Sequence, residues 1–248
     1  MRRTEFGRLR FPKPQTALRI WCAVAAMIPV FICPHARAQD AQFLPELDTY
    51  VQLNQDMRVW LQMKGTREAG VPPQPEIGPS FDYFVKSLPQ LIPNSIVDLD
   101  QGESRLLILS IGYRYLPAAS GAPGTDRMEP VATFQFPLKG GFLVWDRNRF
   151  DLDWKGGEYE WRYRNRFQVE RGFALGSHRI TPYASVEPFY ESKYRGWSST
   201  DLYAGFRLPV GKIVVFNTYY EHENNTGKPP NQQVNAAGLA VNLFFSAH

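Results

Sequence analysis

Arg162, Arg164 and Arg166 recur at every second residue. Successive side chains of a β-strand point to opposite faces, so the three guanidiniums share one face of one strand. Arg147, Arg149, Asp151 and Asp153 show the same spacing just ahead of them, and Glu187 and Glu191 follow on a later segment. Two chemistries fit this constellation. A row of guanidiniums lining a pore would act as an electrostatic filter for anionic solutes. Alternatively, the acids pair with the arginines across neighbouring strands and fill a narrow interior, because an unpaired guanidinium in a confined space is costly. The second is favoured, since a small barrel's interior is largely filled by its own side chains.

Other reactive patterns are sparse. The sequence has no phosphate-binding glycine loop, no Gly-x-Ser-x-Gly elbow and no His-Glu-x-x-His zinc motif. His222, in the stretch Tyr219 to Asn225, loosely resembles the His-x-Ser-Asn stretch of outer-membrane phospholipases and lipid A deacylases. Asn224 stands where their serine would be, and an amide cannot serve as the nucleophile. No catalytic residue, metal ligand or cofactor is therefore expected, and the chain does not read as an enzyme. The alternative is a lipid-modifying barrel hydrolase using His222.

The elements that must position these residues are strands. From Glu158 to Glu170 the even positions are charged or amide, and the odd ones are Tyr159, Trp161, Tyr163, Phe167 and Val169, broken only by Asn165. Period-two alternation recurs near residues 57–64, 107–115, 132–138, 149–154, 201–208 and 238–245, with weaker candidates at 80–86, 180–191 and 212–222. Pro182 and Pro188 fall inside one of these and suit a position where the strand leaves its ladder. Lys139-Gly140-Gly141 and Val210-Gly211 read as tight turns, and Lys155-Gly156-Gly157 as another. Residues 68–79, 116–128 and 223–235 read as long loops at one end, the extracellular one. Counting back from the last strand gives a transmembrane antiparallel all-β barrel of ten strands. The segment 47–53 also looks like a strand, but eleven would not place both termini on one side, so the alternative is twelve. The region 86–104 is the least readable.

Residues 1–38 read as an export signal: a basic start, an apolar run from Ile20 to Cys33 too short to span a bilayer as a helix, and a small-x-small site at Ala36-Arg37-Ala38. They hold seven Lys/Arg and one acid, so the remaining chain carries 21 basic and 23 acidic residues, a formal charge of −2. The basic balance of the full chain thus gives no reason to expect a nucleic-acid partner. Both cysteines, Cys22 and Cys33, lie in the signal, leaving residues 39–248 as a single barrel domain with no thiol or disulfide.

Three stretches carry a family resemblance: Trp145 to Arg149, Trp161 to Phe167, and Thr181 to Tyr190. They resemble the bacterial family of domain of unknown function 2490, whose members are predicted exported outer-membrane β-barrels; the likeness is strongest from Asp146 to Phe245. The resemblance implies a fold and a location in a Gram-negative outer membrane, with outer-membrane lipid and the barrel-assembly machinery as partners, and it supplies no catalytic residues. The expected role is structural, surface or narrow transport, against a soluble secreted ligand-binding β-barrel. In a membrane Val241 and Leu152 would face lipid, whereas Gly238, on the lumen side, would tolerate serine.

Overall fold

A computed structural model describes residues 41–66, 74–87, 100, 102, 105–118, 121, 123–175, 178–227 and 231–247; the expected signal, 1–38, lies outside these residues. The alternating segments form strands β1 (Ala41–Gln52), β2 (Met57–Thr66), β3 (Gln74–Ser87), β4 (Arg105–Leu116), β5 (Thr125–Leu138) and β6 (Phe142–Lys155). The second half supplies β7 (Glu158–Arg171), β8 (Phe173–Leu175), β9 (His178–Glu191), β10 (Gly196–Val210), β11 (Val214–Asn225) and β12 (Gln232–Ser246). Each strand pairs antiparallel with the next, except that β7 pairs directly with β9 and the three-residue β8 lies along β9 as an outlier.

The sheet closes through β1 and β12, which run parallel from Ala41↔Asn235 to Gln52↔Ser246. This makes a closed all-β barrel of eleven strands plus β8, between the counts of ten and twelve. The strand that a count of ten omits is β1, which begins six residues before the segment 47–53. An odd number of alternating strands leaves the first and last pointing the same way, so the closing pair must be parallel.

Taking the end with the β5–β6 turn as the lower one, the lower end also receives the connections 53–56, 88–104 and 211–213 and the end of β12. The upper end receives 67–73, 117–124, 156–157, 192–195, 226–231 and the start of β1. The three segments expected to be long loops do share one end. They are shorter than expected, because β3 begins at Gln74, β5 at Thr125 and β12 at Gln232, while β11 continues to Asn225. β3 ends and β4 begins at the opposite end, the one with the tight turns. Gly156 and Gly157, with φ of 60° and 89°, make the two-residue β6–β7 turn, whose left-handed backbone matches strand twist.

Prolines sit where ladders lapse. The β7–β9 register passes from Arg164↔Phe189 to Phe167↔Val186, skipping Pro188, and β5–β6 skips Pro130 in the same way.

The polarity is inverted relative to a soluble domain. Arg114, Asp151 and Glu187 are wholly buried inside, whereas Ile111, Leu138 and Trp197 on the outer wall are 51%, 55% and 60% exposed. Leu152 lies on that outer wall, as expected. So does Val241, in register between Leu47 and Phe216, although its neighbours cover it. The surroundings of Gly238 argue against its expected tolerance. The Tyr219 ring, one strand away in register, lies over it, and a Cβ there would overlap the ring.

Candidate functional site

Interior charge is the barrel's most concentrated chemistry. On β7 the row Arg162, Arg164, Arg166 faces inwards, as its spacing dictates. The acids on the flanking strands β6 and β9 each take several of these guanidiniums. Asp151 is bound by Arg149, by Arg162 Nη2 at 3.0 Å and by Arg164 Nη1 at 3.7 Å. Glu187 is bound by Arg166, by Arg164 Nε at 3.1 Å and, from two strands away, by Arg147 Nη2 at 3.4 Å. Arg164 thus bridges the two carboxylates. Faces of aromatic rings supplement the acids: Arg166 lies 4.2 Å over Tyr203, and Arg164 4.5 Å over Phe189.

Two expected partners lie elsewhere. Asp153 pairs with Arg127, whose Nε is 2.6 Å from Oδ1, rather than with the β7 row. Glu191 stands opposite Arg162 in register, yet its carboxylate accepts a hydrogen bond from the Ser198 hydroxyl. The network also runs further than the sequence suggests. Arg127 reaches Glu76 at 3.2 Å, and Glu76 takes Lys64 Nζ at 3.2 Å and Arg114 Nε at 3.7 Å. Arg114 continues to Glu129 at 3.5 Å, and Glu129 binds Arg149. An unbroken ion-paired chain therefore spans the interior from β2 to β9. Separate pairs join Arg207 to Glu170, and Arg58 to Asp82 and Asp100. Arg127 falls within the segment 116–128 that its Pro and Gly residues mark as loop, and Glu129 falls between that segment and the alternation that starts at Ala132.

Among the described residues the side chains line a cavity of about 270 Å³ towards the lower end and another of about 500 Å³ towards the upper. Glu46, Trp60, Gln62, Arg147 and Arg149 line both and form the waist between them. At the lower end, Gly102 of the β3–β4 connection is buried, and its carbonyl accepts a 3.0 Å hydrogen bond from Gln135. The upper cavity is asymmetric. Its arginine side belongs to the ion-paired chain, whereas Asp201, Glu221 and Glu223 on β10 and β11 line it without an ion pair among the described residues.

His222, the residue weighed as a catalytic base, is not part of this interior network. His222 lies on the outer wall, with Nδ1 2.9 Å from Asn235 Oδ1, and the Tyr220 hydroxyl donates to the same oxygen. Among the described residues no His, Asp and Glu group is arranged to hold a metal ion.

The model of the family described as protein of unknown function DUF2490 matches residues 104–234, just over half of the chain. The chain belongs to the DUF2490 family. No curated protein and no solved structure matches it. The DUF2490 match begins before β4 and ends within β12, so it includes Arg114, Arg127, the β6 and β7 rows and Glu187. β1 to β3, with Lys64, Glu76 and the Arg58 pairs, precede it.

Proposed function

We propose that this DUF2490 barrel resides in the outer membrane of a Gram-negative cell, exported by residues 1–38, with a side-chain-filled lumen that admits at most small solutes. Its role is then structural, surface or narrow transport, without a catalytic step. One observation carries the proposal: polar and charged side chains are buried inside while large apolar ones stand exposed outside. Water would oppose that distribution, and lipid favours it. Strand length agrees, because β5, β6, β7 and β9 have 14 residues each, against the roughly 9–11 that a tilted strand needs to cross hydrocarbon. Trp154, Tyr159, Trp161 and Trp197 gather on the outer wall near the upper end, where an interfacial girdle would sit. A soluble ligand-binding barrel would leave those rings in water.

The test is extraction from membranes. The protein should resist alkaline carbonate, dissolve in detergent, and migrate faster on gels before heating than after. Release by carbonate alone would end the membrane proposal. In planar bilayers the purified barrel should show little steady conductance and none of the large open steps of a porin. Large conductance with an anion preference that vanishes in Arg162→Ala/Arg164→Ala/Arg166→Ala would instead establish the filter.

A further inference from the structure

Asn165, the residue that breaks the aromatic alternation of β7, lies on the outer wall with two polar neighbours. In register it faces Asn148 on β6, and Asp146 follows two residues away on the same face. Asn148 is the seventh and Asn165 the eighth of the fourteen residues of their strands, so the group sits at mid-height. Around it the wall is apolar: Phe134 and Phe167 flank Asp146 in register, and Phe150 follows Asn148. If the barrel spans a membrane, as proposed above, this polar group meets the middle of the hydrocarbon, where ionisable and amide side chains are expensive and mark functional positions.

The group satisfies itself only in part. Asp146 Oδ1 accepts from Asn148 Nδ2 at 3.2 Å and from Asn165 Nδ2 at 2.7 Å. Asn148 Oδ1 accepts from Asn165 Nδ2 at 3.1 Å and from the Tyr163 hydroxyl at 2.6 Å. Among the described residues Asp146 Oδ2 and Asn165 Oδ1 have no donor, and the second N–H of Asn148 has no acceptor. Lipid tails can meet none of these needs. A spare donor and a spare acceptor two residues apart on one strand are, however, complementary to themselves under a twofold rotation. Ala132, beside Asn148 in register, is small and leaves room for a second wall to approach, as small residues do at membrane interfaces.

We infer that this face of β6 and β7 is the contact between two copies of the chain, paired about a twofold axis so that Asn148 of each donates to Asp146 of the other. The occupant is a second copy rather than a different protein because the pattern needs no group that the chain lacks.

Disulfide cross-linking in intact membranes tests the inference. No cysteine occurs after Cys33, so the parent chain is a clean control. Phe150→Cys, at the rim of the polar group, should give a species of twice the monomer mass on oxidation with copper phenanthroline, and Ile111→Cys on β4 should not. Adding Asp146→Leu, Asn148→Leu and Asn165→Leu to Phe150→Cys should abolish the dimer, while heat-modifiable migration shows the barrel still folded. Equal cross-linking at both positions, a dimer that survives the leucines, or an adduct of some other mass would overturn the second-copy contact. A chain that resists carbonate yet never dimerises would refute this inference alone; carbonate release would refute the membrane location first.

Discussion

Glu187 gathers guanidiniums from Arg147 on β6 and from Arg164 and Arg166 on β7, and it has no exposure to solvent. Replacing it with glutamine keeps the shape and removes the charge, leaving three cations around an amide. Breaking a buried ion pair from one side costs about 3–5 kcal/mol, because the remaining charge is uncompensated. Glu187→Gln should therefore lower the temperature at which the barrel loses its fast-migrating band, and Glu187→Asp should lower it less. An unchanged transition would mean that the arginines find other partners. Gly238 makes an opposite, steric case. The Tyr219 ring occupies the space that a side chain would need, so Gly238→Ser should destabilise by about 1–3 kcal/mol, the range of overpacked sites. In the double variant with Tyr219→Ala the serine fits, and the combined loss should fall below the sum of the single losses.

At the level of elements, β7 carries its two faces into two environments. Arg162→Ala with Arg164→Ala and Arg166→Ala strips the inner face, leaves Asp151 and Glu187 short of partners, and should give a barrel that is both less stable and leakier to ions. The outer face responds to the opposite change. If the barrel spans a membrane as proposed, Leu152→Arg, on neighbouring β6 between mid-height and the Trp154 girdle, should cost about 1–2 kcal/mol, between the midplane and interfacial values. If both faces tolerated charge equally in unfolding experiments, the outer wall would not be facing lipid. These two faces were legible in the sequence because the charges of β6 and β7 recur at every second residue, a period that the polar breaks on the outer face, Asn165 among them, do not disturb. The Asp151 and Glu187 pairings follow from that alternation and from strand adjacency. Other parts of the site were hidden for identifiable reasons. The loop residues ahead of Thr125 masked Arg127 and Glu129, and Pro75, Gly78 and Pro79 disguised the first half of β3 as loop. Gly238 reads as a permissive lumen position until Tyr219 is placed beside it, which only the β11–β12 register can do. The choice of Arg127 for Asp153 likewise depends on which side chains converge across the lumen.

The whole molecule is defined by the seam between β1 and β12. Every residue pair along it is 194 positions apart in sequence, from Ala41↔Asn235 to Gln52↔Ser246. Closing so long a loop costs roughly 3 kcal/mol more than closing a five-residue hairpin, on a logarithmic dependence of closure entropy on length. The seam should therefore be the last ladder to gain hydrogen-exchange protection during folding. Leu47 and Val241 are adjacent across it on the outer wall. A disulfide formed by Leu47→Cys with Val241→Cys should raise the unfolding free energy by up to ~5 kcal/mol through chain entropy. A cross-link that forms but leaves unfolding unchanged would show that the seam does not limit stability. No local pattern announces this closure, because whether the count is odd or even is a property of the complete circuit.

The odd count also gives the barrel a direction of passage. In a ring with an even number of strands the chain enters and leaves by the same mouth, and both ends share one compartment. Here residue 41 starts at the upper mouth and residue 246 finishes at the lower. If the barrel spans a membrane, as proposed, a peptide joined ahead of β1 and another joined behind β12 would be displayed in different compartments by one folded domain. Antibodies to two such epitopes, applied to intact and then to ruptured cells, should report opposite sidedness within a single polypeptide.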